Sequence, residues 1–361
     1  MLFGPAPNGR TIRYAGILTT IALVGFANAS FGAAIVGDTR TVDVVQAAAP
    51  SVEGMKAGYR RPAEIPFPET NRYTLRKALL GQRLFFDRRL SSSSAQSCAS
   101  CHDPGFAWGD GLAVSVGNGM AKLDRRAPSI VNAAWGASYM WDGRATSLEQ
   151  QTLGPIQSLS EMNMPIDKLL ERLKSIPEYP LLFSAAFPGE DVSAKTLAAA
   201  LATYERTIVS ARAPFDAWIA GDERAISNEA KRGFVIFNTV GRCAACHEGW
   251  NFTNDGFQDI GVPGADIGRG KLLPRIPKMN HAFKTPGLRE IANRGPYMHD
   301  GSIRTLEDVI EHYDRGGVDR PSRSDLIVPL GLTAQDKLDL VEFLKSLSSS
   351  LTPTTVPVFP R

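Results

Sequence analysis

The sequence predicts a mostly α fold built from two tandem modules with long loops, and three observations predict it. A five-residue pattern, Cys-x-x-Cys-His, occurs twice, at Cys98–His102 and Cys243–His247. An amphipathic helical stretch carrying Gly-x-x-[Leu/Ile]-Phe precedes each copy, from Gly81 to Phe85 and from Gly233 to Phe237. Runs with the two-residue alternation of strands are few.

In chain order, Arg10 and Arg13 form a basic start and an apolar run follows from Ala15 to Phe26. Small residues come next, Ala27-Asn28-Ala29 and again Gly32-Ala33-Ala34. This is the pattern of a secretory signal peptide over 1–34, cleaved after Ala29 or near Ala34. The apolar run is short for a bilayer span, so no membrane span is expected in the mature chain; an uncleaved anchor is the alternative. Residues 35–70 are rich in Ala, Pro and Gly and are expected to form a linker or arm. From Tyr73 to Arg88, Leu75, Leu79, Leu80, Leu84 and Phe85 recur at helical spacing. Further helices are expected near 166–175, 193–210 and 214–220, and from Asn228 to Asn238. Thr305 to Asp314 and Thr333 to Leu347 each open on a Thr-x-x-Asp capping pattern. The first module is thus expected at 71–220, the second at 221–350 and a tail at 351–361.

Roughly 325 residues remain after export, enough for two domains with separate cores. The formal net charge of +3 provides no basic stripe of the kind that binds nucleic acid.

Cys-x-x-Cys-His is the attachment motif of c-type haem: two thiols add across the vinyl groups, and the adjoining histidine becomes the proximal iron ligand. The two motifs use all four cysteines of the chain. A four-cysteine zinc site would normally place its pairs about 12–20 residues apart. A thioredoxin-like pair would occur once, near a βαβ pattern, and disulfides would leave the histidines unexplained. Two covalent c-type haems follow, carried by two cytochrome c-like domains and expected near the domain interface. Export agrees, because c-type haem is attached outside the cytoplasm; the periplasm is the expected compartment.

The sixth iron position separates an electron carrier, which fills it with His or Met, from an enzyme, which leaves one iron open. Beyond His102 and His247 only His281, His299 and His312 remain, all in the second half. The first module offers only Met120, Met140, Met162 and Met164, and scattered methionines more often serve packing. The count favours an open first iron.

Trp141-Asp142-Gly143-Arg144-Ala145, followed by Leu148, Gln151, Gly154-Pro155 and Glu161-Met162, resembles the bacterial dihaem cytochrome c peroxidase and MauG family. So do Phe283-Lys284-Thr285-Pro286-Gly287-Leu288-Arg289, Gly295-Pro296-Tyr297-Met298-His299-Asp300-Gly301 and Thr305-Leu306-Glu307. The resemblance covers 70–350 with its spacings kept. It implies that the first haem (Cys98, Cys101, His102) is the peroxide site, with Glu161 and Gln151 on its distal face and Pro155 shaping the pocket. A carboxyl group there can move the proton that O–O cleavage requires, and an amide can orient the peroxide. Trp141 is implied as an electron relay between the haems.

Two positions depart from the pattern of many members. The Gly-His-Gly loop, whose histidine caps the first haem in the oxidised resting state, reads Gly117-Asn118-Gly119 here. Asparagine is a poor iron ligand, so the oxidised protein is expected to meet peroxide directly. The second-haem axial position, often methionine, is Tyr313, as in MauG-type members; His312, Met298 and Met279 are its rivals. A phenolate favours Fe(III) and higher states and lowers the potential, whereas a thioether raises it.

Family members also hold calcium between the haems on backbone carbonyls and an asparagine side chain. The carbonyl positions are Arg294 and Pro296, but the asparagine position reads Arg126. A guanidinium donates no oxygen and repels a cation, which counts against calcium, and Arg126 can replace its charge.

The expected function is a periplasmic dihaem peroxidase that reduces hydrogen peroxide at the first haem and passes one oxidising equivalent through Trp141 to the second. Electrons would return from a small donor, cytochrome c or cupredoxin. The alternative donor is a Trp or Tyr of a protein substrate, which would make the chain a MauG-like maturation oxidase. A non-catalytic dihaem electron carrier, with methionine closing the first haem, is the reading from a different class. Trp108, Trp135 and Trp250 are candidate electron exits, with core packing as the alternative.

Overall fold

The computed structural model describes residues 51–351 and 354–360; the expected signal peptide and its cleavage sites lie outside the described residues. Helices dominate: α1 (Val52–Ala57), α2 (Leu75–Phe86), α3 (Leu148–Gln157), α4 (Ile166–Ser175), α5 (Glu178–Ala186), α6 (Ala194–Arg206), α7 (Pro214–Ile219), α8 (Asn228–Asn238), α9 (Leu306–Arg315) and α10 (Ala334–Ser346). Two short strands, β1 (Phe257–Gln258) and β2 (Phe283–Lys284), form one antiparallel ladder. Long loops with single 3-10 turns fill the rest. No described helix is long and apolar enough to cross a membrane.

Helices α4 and α8 span the residues expected from their periodicity. The two Thr-x-x-Asp patterns act as caps: Thr305 Oγ1 accepts from the Asp308 N–H at 3.1 Å and Thr333 Oγ1 from the Asp336 N–H at 3.2 Å. Helix α3 was not expected, because Gly154-Pro155 near its end reads as a breaker. Its first two turns form from the Ser147 cap (3.1 Å to the Gln150 N–H), and Pro155 leaves only the Gln151 carbonyl without its helical donor.

Each module is organised by one close helix crossing. In the first, Gly81 of α2 lies against the backbone of α6, so that a Cβ there would run into the Ala200 carbonyl. In the second, Gly233 of α8 meets the Asp339 carbonyl of α10 in the same way. The phenylalanine one turn later packs on the partner helix in both: Phe85 on Tyr204 (ring centroids 5.3 Å) and Phe237 on Phe343 (5.0 Å). Two apolar cores result. The first joins Leu84 and Phe85 with Leu169, Phe183 and Leu201; the second joins Phe234 and Phe237 with Phe252, Leu340 and Phe343.

Residues 51–61, expected within the arm, contribute to the second core. Tyr59 is buried among Phe215, Phe234 and Phe252, and its hydroxyl donates to Asn238 Oδ1 at 2.7 Å. Phe215 and Trp218 of α7 are buried in the same core. One aromatic anchor secures a segment whose Ala/Pro/Gly composition hides it.

The duplication also includes a unit that the paired motifs do not reveal. Residues 126–157 align without a gap on 284–315, with Tyr139-Met140-Trp141-Asp142-Gly143 opposite Tyr297-Met298-His299-Asp300-Gly301 and Leu148-Glu149 opposite Leu306-Glu307. The backbones follow the same path. Tyr139 bridges to Ala145 and Tyr297 to Ile303, while Met140 and Met298 have φ of 68° and 70°. The positive φ of Gly143 and Gly301 (70° and 63°) needs glycine to close each turn. The two turns meet reciprocally: the Arg126 N–H donates to the His299 carbonyl at 3.0 Å, and the Lys284 N–H donates to the Trp141 carbonyl at 2.8 Å.

Candidate active site

Each Cys-x-x-Cys-His motif forms a single 3-10 turn with nearly the same geometry. The Cys101 N–H donates to the Cys98 carbonyl at 3.1 Å and the His102 N–H to that carbonyl at 3.0 Å; the Cys246 and His247 N–H groups meet the Cys243 carbonyl at 3.2 and 2.9 Å. His102 Nδ1 lies 3.2 Å from the Trp108 carbonyl and His247 Nδ1 lies 3.0 Å from the Phe252 carbonyl. A carbonyl only accepts, so Nδ1 carries the proton in each ring and Nε2 keeps the free lone pair, the form a metal requires. Burial holds both imidazoles below the ordinary histidine range and hence neutral. Burial also raises the thiols, Cys101 to about 11 and Cys243 to about 12. Such thiols are poor redox nucleophiles.

Two cavities accompany the motifs. Cys243, Cys246, His247 and Tyr313 line one, with about 1320 Å³ of empty space including its open mouth. Cys101 and His102 line the other, about 2370 Å³ on the same basis. A paired-thiol turn, a neutral His with a free Nε2 and an adjoining cavity fit a covalent haem in each module.

The first cavity collects the distal residues: Gln151, Pro155 and Glu161 all line it, as does Trp141. The Glu161 carboxyl is raised above the ordinary glutamate range by burial, against the opposing Ser158 hydrogen bond and the Arg144 charge. The Gln151 amide approaches Met140 Sδ at 4.0 Å. Of the four methionines, Met162 and Met164 are buried in the first core and Met120 is 80% exposed; only Met140 lines the cavity. The Asn118 N–H docks on the Ser160 carbonyl at 3.0 Å, and Asn118 is not among the lining residues.

In the second cavity Tyr313 projects from α9 and is half-buried, with burial holding its phenol protonated in the absence of a metal. Of its rivals, His312 Nε2 is 2.9 Å from the Ile260 carbonyl and neither His312 nor Met279 lines the cavity, whereas Met298 does. His299 also lines it, stacked on Phe283 at 3.6 Å between centroids. Trp141 lines both cavities; its indole N–H donates to the Arg126 carbonyl at 3.0 Å, and its ring stands 6.5 Å from that of His299. Trp135 and Trp250 form an edge-to-face pair with centroids 4.7 Å apart, and Trp108 packs on Phe85 in the first core.

The calcium positions do not fit calcium. Arg126 Nη2 donates to the Arg294 carbonyl at 2.9 Å, so the expected ligand oxygen already faces a cation. Arg294 is itself half-buried, and Pro296 lines neither cavity. The sequence shows His299 only as a spare histidine within a motif; that it is the counterpart of Trp141 emerges when the two Tyr-Met-x-Asp-Gly turns are aligned.

Two cytochrome c-like domains, each with one attachment turn on its own cavity, define a dihaem c-type cytochrome. Residues 75–224 match the family model of di-haem cytochrome c peroxidase, and residues 230–348 match that of cytochrome c. The chain is 48% identical over 325 residues to the methylamine utilization protein MauG of Methylorubrum extorquens, covering 89% of this chain and 91% of the relative. It is 37% identical over 318 residues to cytochrome-c peroxidase IdrP1 of Denitromonas iodatirespirans, covering 79% and 84%. A solved MauG-like protein associated with microbial copper homeostasis matches with a TM-score of 0.74 at 31% identity, over 80% of this chain and 95% of that one. The chain belongs to the di-haem cytochrome c peroxidase and MauG family, and it is an oxidoreductase with two c-type haems.

Proposed function

We propose that the chain is an exported, periplasmic peroxidase that reduces hydrogen peroxide at the first haem and draws electrons through the second from an outside donor. We take the first haem domain as 71–220 and the second as 221–350, with α7 contributing Phe215 and Trp218 to the second core. The bound haems supply the redox chemistry. Glu161 takes a proton from the near oxygen of peroxide and returns it to the leaving oxygen, a role suited to a carboxyl raised by burial. The Gln151 amide orients the peroxide, and Pro155 presents a wall without a donor atom. Trp141, held by hydrogen bonds from both halves, is the relay between the cavities. His247 and Tyr313 hold the second iron.

The observation that carries this reading is the placement of Pro155 where the repeat puts Tyr313 in the second module. Proline offers iron no lone pair, so that face is free for peroxide. The test is rapid mixing of the fully oxidised, haem-loaded protein with one equivalent of hydrogen peroxide. A fast spectral change without prior reduction is expected, slowed about 10²-fold or more in Glu161→Gln. A reaction that waits for one electron would mean a capped first iron, and failure even after half-reduction would mean an electron carrier.

Tyr313 supports a second reading of the donor. An oxygen ligand makes the second haem a poor collector from a small cytochrome c or cupredoxin and a better store for an oxidising equivalent. A Trp or Tyr on a protein substrate then becomes the electron source, as in a maturation oxidase.

A further inference from the structure

Arg126 is 8% exposed, and its Nε has no hydrogen-bond partner among the described residues. A buried guanidinium is costly unless it is compensated, and here another guanidinium, that of Arg294, lies close enough to repel it. The charge that favours it comes from Asp110. What the residue gains is connection. Its side chain reaches the Arg294 carbonyl, its N–H reaches the His299 carbonyl, and its own carbonyl receives the Trp141 indole. Three fixed contacts thus join the first module, the second module and the tryptophan between the cavities. Lys284, its counterpart in the repeat, instead turns its ammonium to Asp255 at 2.8 Å, so the arrangement belongs to Arg126 alone.

We infer that Arg126 is a built-in cation that replaces the calcium ion of the family, tying the Arg294 carbonyl to the first domain and fixing Trp141, so that the contact between the haem domains needs no metal. A covalently held charge cannot be removed by a chelator or lost at low calcium. It also sets a permanent positive charge beside the first cavity, which it lines. A nearby cation stabilises the reduced, less positive iron and so raises the potential.

The inference rests on the two-haem reading, and haem content measured on every sample keeps the two apart. The experiment takes the holoenzyme through calcium titration calorimetry, thermal unfolding with and without EDTA, and spectroelectrochemistry. The wild type is expected to bind no stoichiometric calcium and to keep its midpoint and spectrum in EDTA. Arg126→Gln, which is shorter and loses the charge, is expected to lower the first-haem potential and slow transfer between the haems. Arg126→Lys is expected to recover the potential but not the full midpoint, because an ammonium lacks the planar fork. A merely structural role would move the midpoint of both variants and the potential of neither, which would overturn the inference. Stoichiometric calcium in the wild type, with a midpoint that collapses in EDTA, would overturn it too. Should Arg126→Gln fail to load haem, the wild-type chelation result and Arg126→Lys still decide. None of these readings depends on peroxide turnover.

Discussion

Pro155 on α3 and Tyr313 on α9 occupy the same position in two copies of one loop-and-helix unit, and each lines the cavity of its own module. The copies share their turn, their positive-φ methionine and glycine, and a hydroxyl N-cap, Ser147 or Thr305. One scaffold therefore presents an oxygen donor to the second cavity and a ring without a donor to the first. On the proposed reading, the asymmetry between an open and a closed iron would reduce to a single side chain on a repeated frame.

Pro155→Met tests that frame directly. Methionine restores the missing N–H donor of α3 and brings a thioether to the first cavity. The oxidised variant is expected to show a low-spin first haem and to lose its fast reaction with peroxide. A variant that reacts as the wild type does would show that position 155 does not face the iron.

Tyr313→Met is expected to raise the second-haem potential, because a thioether favours Fe(II) where a phenolate favours Fe(III). Tyr313→Phe removes the donor and is expected to convert that haem to a high-spin spectrum. Spectroelectrochemistry and low-temperature paramagnetic resonance check the pair. An unchanged potential in both variants would assign the ligand to Met298, which also lines that cavity.

Gly81→Ala and Gly233→Ala each force a methyl group into a carbonyl on the facing helix, Ala200 or Asp339. Backbone cannot yield as a flexible side chain does, so each is expected to cost about 1–3 kcal/mol or more. Thermal unfolding of the holo protein measures it. Gly249 has open space at the Cβ position and packs on no helix, so Gly249→Ala should cost only the strain of its positive φ (69°).

Glu205 on α6 gives the protein a pH-dependent stability. Burial raises its carboxyl from 4.5 to about 8, only partly offset by Arg206, and its Oε2 has no partner among the described residues. Between these values the folded state holds a proton that the unfolded state has released. Stability is therefore full below about pH 4.5 and falls as pH rises towards 8, by up to about 1.4 kcal/mol per unit. Glu205→Gln is expected to flatten that decline between pH 5 and 8, with the variant more stable than the wild type at the alkaline end. A parallel decline in both proteins would place the titration elsewhere.

Much of this molecule was legible in its sequence because the informative features are local. A Cys-x-x-Cys-His segment closes its own 3-10 turn, so five residues suffice to predict it, and Thr305 and Thr333 cap helices through contacts three residues away. The spacing of Phe234, Ile236 and Phe237 in α8 foretold a core face, and so did that of Leu80, Leu84 and Phe85 in α2, whereas Leu75 and Leu79 of the same α2 series are exposed because they lie on its outer side. Helix α3 escaped because the cost of Pro155 falls in its last turn, where few bonds depend on it. Residues 51–61 escaped because a single aromatic anchor, Tyr59, carries no period.

The sequence by itself determined the two attachment turns, the helix caps and the family, since each is written in short spacings, the turns and caps being enforced by local hydrogen bonding. Only the tertiary structure decided which distant residues share a wall. Trp141 bordering both cavities, Arg126 seated on the Arg294 carbonyl and the reciprocal pairing of the two Tyr-Met-x-Asp-Gly turns depend on loops far apart in the chain. Such contacts form where two packed modules bring unsatisfied backbone groups together, and no local pattern encodes that meeting.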